Sequence, residues 1–217
     1  TKKVLFATTT QEAVLKAIKV LDSKFKLKPI LTKDTNKWIK KLSKTRRKYI
    51  RGLYSGGSLC DESMVVLKNY VDVIYSNTPI DKDCKLENPW KSFRHTIVDL
   101  GDDIFTRGKP HPMIDFSFRK NRIIEESADK EVAVIMFDLV LGFGANIDPI
   151  KELEQTIVQA KKNSSNEILF CSVIVGTDRD VQNYNYVEKN LNRLGVITFN
   201  SNVKMSEFVG EIIKKLK

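Results

Sequence analysis

Three cysteines and two histidines are all that the 217 residues offer to thiol or metal chemistry. Cys60, Cys84 and Cys171 are widely spaced and fit no metal-ligand pattern. So few thiols argue against a disulfide scaffold and for a reducing compartment, the cytoplasm. No apolar run approaches the roughly 20 residues of a membrane span. The short stretch Val4–Ala7 lacks the long apolar core and cleavage site of a signal peptide. There is no Gly-x-Gly-x-x-Gly dinucleotide fingerprint. Membrane-spanning, disulfide-stapled and zinc-ribbon classes are thereby set aside, and no metal site is expected.

What is present is ordinary in bulk and uneven in detail. Hydrophobic residues make up 41% and charged residues 29% of the chain, enough for one large or two small domains with a sizeable core. Residues 1–51 hold 16 of the 37 Lys and Arg but only 3 of the 27 Asp and Glu, so the formal +10 charge comes entirely from this leader. Its densest part, Lys37 to Lys48, could meet nucleic-acid phosphates or an anionic surface. A solvated linker facing an acidic partner explains the run better, and nucleic acid is not the expected partner. Trp38, Ile39 and Leu42 suit one face of a short docking helix as well as base stacking. In residues 11–21, Ala13, Val14, Ala17, Ile18 and Leu21 share one helical face and read as packing.

From residue 49 the chain alternates strictly. Strands are expected at 49–54, 96–100, 132–137, 168–175 and 196–199. Helices are expected at 59–70, 112–128, 149–162, 181–194 and 203–216. The strands are short and continuously apolar, the pattern of strands buried on both faces. Alternation with helices implies parallel pairing. The expected fold is an α/β three-layer sandwich with a mainly parallel sheet over residues 48–217, preceded by a short basic strand–helix leader over 1–47.

In such a sheet the loops after the strands emerge on one edge, where ligands bind. Those loops carry most of the glycines. After the first strand comes Ser55-Gly56-Gly57-Ser58 and then a helix, an arrangement that aims free backbone N–H groups and a positive helix end at one point. Phosphate or carboxylate would be stabilised there; a plain tight turn uses the same residues. Gly142 and Gly144 follow the third strand, and Gly176 and Thr177 the fourth.

The loop after the second strand is the richest. Arg107 and Lys109 flank Gly108 and supply cationic donors, the arginine in a two-pronged form suited to carboxylate or phosphate. His111 stands between Pro110 and Pro112 at an expected helix start. There it could protonate a leaving group, donate to a phosphate, or merely cap the helix. Asp99, Asp102 and Asp103 could hold Mg²⁺ or orient those cations, and surface solvation explains the paired aspartates nearly as well. His95 reads as structural, and Asp138 at a strand end is open.

Four stretches carry a resemblance: Arg51-Gly52-Leu53-Tyr54-Ser55-Gly56-Gly57-Ser58-Leu59-Cys60-Asp61-Glu62, the long run Val98 to Asp115, Asp138 to Ala145, and Val175 to Gln182. In this order they resemble the FdrA family of acyl-CoA synthetase-like proteins, relatives of succinyl-CoA synthetase; the second run is the specific one. The resemblance covers most of 48–217, with Val4–Thr10 and the following helix similar to the family's preceding connector. It implies a flavodoxin-like, CoA-ligase-like lobe at the C-terminal end of a longer protein. It also implies an upstream CoA-binding region or partner subunits, an oligomeric assembly, and CoA, a nucleotide or Mg²⁺ used by the complete enzyme. Some members look like subunits of an oxamate carbamoyltransferase in allantoin breakdown. That reading, and a non-catalytic assembly domain, stay open beside the ligase. Within the resemblance His111, Arg107 and Asp99 are the expected catalytic residues. Ser55, Gly56, Gly57, Ser58, Lys109, Gly142, Gly144, Gly176 and Thr177 are the expected ligand-binding residues. One departure is plain: the phosphohistidine loop Gly-His-Ala of succinyl-CoA synthetases has no counterpart here.

Overall fold

The computed structural model describes residues 4–25, 33–165 and 167–216. Five strands form one sheet: β1 Tyr49–Tyr54, β2 Thr96–Asp99, β3 Val132–Val140, β4 Leu169–Val175 and β5 Val196–Phe199. Their order is β2-β1-β3-β4-β5, and every neighbouring pair is parallel. The reason lies in the sequence: eight of the nine β3 residues and six of the seven β4 residues are buried, which only a sheet covered on both faces allows.

Helices α5 Ser117–Ala128, α6 Pro149–Asn163 and α7 Tyr184–Arg193 pack with one apolar cluster containing Phe137, Ile123, Ile157 and Leu191. Helices α3 Gly57–Leu67 and α8 Asn202–Lys214 enclose a second, with Tyr54, Met64, Met136 and Ile212. A single turn of helix, α4 Asp103–Thr106, follows β2. The result is the expected three-layer α/β sandwich. Gly52 marks how tightly β1 and β2 approach, since a Cβ there would lie 2.6 Å from Ile97.

The N-terminal segment departs from the expected strand plus helix. Val4–Ala7 pair with no strand among the described residues, and Val4, Leu5 and Phe6 are exposed. A lone strand has nowhere to place its backbone groups except water. Two helices follow, α1 Thr10–Leu21 and α2 Asn36–Leu42. Trp38, Ile39 and Leu42 pack on the α8 side of the sheet, Leu42 fully buried, so the apolar members of the basic run are spent on packing.

Arg47 is buried as well. Its guanidinium donates to the carbonyls of Asp129, Val132 and Ser164 and to Glu167 at 3.1 Å. Arg51, equally buried, bonds Glu126 at 2.6 Å and Asp129 at 2.9 Å, and Arg122 shares Glu126. These cations lie beneath the surface because each finds carboxylates or carbonyls there. His95 packs edge-on against Tyr49 and accepts the Ile50 N–H, a structural position.

Candidate functional site

The chain leaves β1 toward β2 on one side of the sheet and reaches β3 on the other. Between β1 and β3 the winding direction reverses, and open α/β sheets bind ligands in the crevice above such a point. The Ser55–Ser58 turn occupies it. Two of its amides are already taken: Asp138 of β3, fully buried, accepts from Ser55 N–H at 2.8 Å, Gly56 N–H at 2.9 Å and the Ser55 hydroxyl at 2.9 Å. Arg119 of α5, also fully buried, holds Asp138 from behind, with Nη2 2.9 Å from its carboxylate and Nη1 2.6 Å from its carbonyl. The protein's own carboxylate therefore fills the first half of the nest.

The second half is open. Gly57 and Ser58 are the first two residues of α3, and their N–H groups have no protein acceptor among the described residues. Asp99 and His111 approach the same spot. A Cβ on Gly57 would come within 2.8 Å of Asp99 Oδ2, and one on Gly101 within 2.8 Å of both His111 Nε2 and the Ser55 carbonyl. Glycine at these two positions makes the convergence sterically feasible.

Asp99 is fixed by its neighbours. Its Oδ1 accepts the Gly101 N–H at 2.9 Å, while Asn77 pairs with its backbone N–H and C=O, each at 3.0 Å. Burial raises the carboxyl's pKa; the Gly101 hydrogen bond pulls it back down, and Asp102, Asp138 and Asp61 push it up further. His111 accepts the Met113 N–H on Nδ1 at 3.2 Å, so the neutral ring carries its proton on Nε2, the atom facing Gly101. The ring does not open a helix as expected. The helix starts at Ser117, where the Asp115 carboxylate takes the Ser117 N–H at 2.8 Å, and residues 112–114 form a turn.

The other expected residues spread along the same edge. Arg107 and Lys109 are exposed at the rim, Lys109 lying over Trp90 with Nζ 5.9 Å from the ring centre, while the Arg107 side chain has no partner among the described residues. Gly142 (φ 124°) and Gly144 (φ 85°) shape the loop after β3. Gln182 closes that loop by bonding both the N–H and C=O of Gly142 at 3.0 Å, and Asp180 takes the Thr177 N–H after β4. Gly176 packs on Leu141. The structure thus gathers Ser55, Gly57, Ser58, Asp99 and His111, with Gly56 turned to Asp138. It leaves Arg107 and Lys109 at the rim and Gly142, Gly144, Gly176 and Thr177 in adjacent loops.

Asp102 caps α4 through the Ile104 N–H and Asp103 is exposed. Among the described residues no group of three His, Cys, Asp or Glu is placed to hold a metal ion. Cys60 is fully buried, and burial, with Asp99 and Asp61 beside it, drives its thiol pKa well up. It is inert as a nucleophile.

A 2-1-3-4-5 parallel sheet with its polar cluster above the carboxyl ends of β2, β1 and β3 defines a flavodoxin-like domain. The CoA-ligase family model matches residues 53–212, and the chain belongs to that family. It is 37% identical over 220 residues to YahF, an uncharacterized protein of Escherichia coli (strain K12). The match takes in 97% of the chain and 42% of YahF, so the chain spans less than half the length of that relative. No helix among the described residues is long and apolar enough to cross a membrane.

Proposed function

We propose that this chain is the C-terminal, anion-handling lobe of an FdrA-type acyl-CoA synthetase-like enzyme, working with other regions or subunits of a longer protein. The observation that carries the reading is the pair of unclaimed N–H groups at the start of α3, set beside His111 Nε2 and Asp99 above the carboxyl ends of β1 and β2. Donors held in place without reorganisation stabilise charge that develops on a transferred phosphoryl or acyl group. Gly57 and Ser58 supply the backbone donors, His111 a proton-bearing nitrogen, and Arg107 an exposed cation at the rim. Asp99 positions the Gly101 turn and opposes a second negative charge.

That last point restricts the ligand. With Asp61, Asp99, Asp102 and Asp138 nearby, the pocket suits one small phosphate or carboxylate and fits poorly the diphosphate of CoA or of a nucleotide. Those groups, and their chemistry, are assigned to the remainder of the longer protein. The CoA-ligase match favours acyl transfer over the carbamoyltransferase alternative.

The test is an amide-resolved phosphate titration followed by NMR. The Gly57, Ser58 and Gly101 amides and the His111 ring should shift, whereas Ser55 and Gly56, already bonded to Asp138, should move little. Uniform silence across Gly57, Ser58 and Gly101 would remove the proposed site.

A further inference from the structure

The N-terminal helix and the sheet edge enclose a cleft that the anion site does not use. α1 buries none of its 12 residues. Its N-terminal end is tied down by two bonds: the Thr10 N–H to Glu62 at 2.7 Å, and the Ser201 hydroxyl to Gln11 at 2.6 Å. Between α1 and the lobe lies a cavity of about 470 Å³, walled by Val14, Leu15 and Ile18 on one side and by Leu59, Val173 and Val203 on the other.

Three observations define what would fill it. Among the described residues no lysine or arginine lines the cleft, whereas Glu62 does, so the described walls offer no counter-charge for an anion. Its polar lining is largely engaged within the protein: Glu62 accepts from Thr10 N–H and from Asn202 Nδ2, and Asn202 accepts from Tyr54 and Ser63. What the walls chiefly offer is apolar contact. The volume is that of a small-molecule site and equals roughly one turn of a helix of about 10–12 Å diameter, too little to seat a partner helix.

We propose that this cleft is a binding site for an uncharged apolar chain, the alkyl part of an acyl group being the class it fits. The proposal goes beyond the anion reading and is tested separately from it, because neutral probes bypass the amides of Gly57 and Ser58.

The experiment is titration calorimetry of the full 217-residue chain with straight-chain 1-butanol, 1-hexanol and 1-octanol. Affinity should rise about fourfold per added methylene, the value of burying one such group. The methyl signals of Val173 and Val203 should shift with 1-octanol. Leu15→Lys combined with Ile18→Lys, both half-buried at the cleft wall, should weaken 1-octanol binding at least about tenfold, while Val20→Lys on the exposed side should leave it unchanged. Equal affinity for all three alcohols, motionless Val173 and Val203 methyls, or undiminished binding by the double variant would each overturn the proposal.

Discussion

Replacing Asp138 by alanine should cost the protein about 3–5 kcal/mol, the usual penalty for breaking a buried ion pair by removing one partner. The structure explains why the cost should be high. Arg119 is fully buried and its Nε already lacks an acceptor, so without the carboxylate its charge keeps the Asp138 carbonyl and the face of the Phe116 ring but no counter-charge in contact among the described residues. The Ser55 amide, also buried, loses its acceptor, whereas Gly56 is partly exposed and can turn to water. Set against a total stability of roughly 5–15 kcal/mol, the loss should lower the melting temperature by about 10 °C at this chain length.

Urea unfolding measures the free energy. A double-mutant cycle with Arg119→Met separates the pair from its surroundings. Because methionine removes the stranded charge, the double variant should be more stable than Asp138→Ala alone. A loss below about 1 kcal/mol, or strictly additive single variants, would refute the assignment of Asp138 as the hub of the β1 turn.

Arg107→Ala should weaken phosphate binding by about 1.5–3 kcal/mol in titration calorimetry, the worth of a hydrogen bond to a charged group; Arg107→Lys should recover only part, since the two-pronged geometry is lost. Asp99→Asn should raise stability at neutral pH while keeping an oxygen for the Gly101 N–H. Because the folded-state pKa of Asp99 is raised, the wild-type group binds its proton more tightly when folded. Its contribution therefore falls as pH rises from the ordinary carboxylate value through the raised one. The stability gap between the two proteins should accordingly close in acid; a gap that persists there would contradict the burial argument. The purified chain supplied with ATP, CoA and dicarboxylic acids should form no acyl-CoA, and any product seen by chromatography would show that the lobe needs no other region.

The layers of the sandwich were readable from the sequence because β3 opens with six apolar residues, β4 is apolar but for Ser172, and the glycine turns follow them. Less readable was anything that depends on a distant partner. The Ser55–Ser58 turn looks like an open nest, yet Asp138, 83 residues away, takes two of its amides. Arg119 sits in a polar helix, where a cation ordinarily points to water, and Asn77 lies in an irregular stretch with no periodicity to mark it. Pro112 suggests a helix start that Asp115 moves to Ser117. Val4–Ala7 has strand composition but pairs with no strand among the described residues. Local chemistry thus located the turn at the candidate site, and only the tertiary fold shows which of its donors remain free.

Arg47 has a consequence for how the protein is made. Its partners lie 82, 85, 117 and 120 residues further along the chain. At about 5–20 residues per second of synthesis, the guanidinium waits on the order of 6–24 s between its own emergence and that of Glu167. Until β3 begins to emerge with Val132, 85 residues after Arg47, β1 lacks that neighbour, and its apolar residues stay open to other chains. Arg47 therefore precedes along the chain everything that it fastens, and its set of partners is complete only once α6 and the residues just after it have been made.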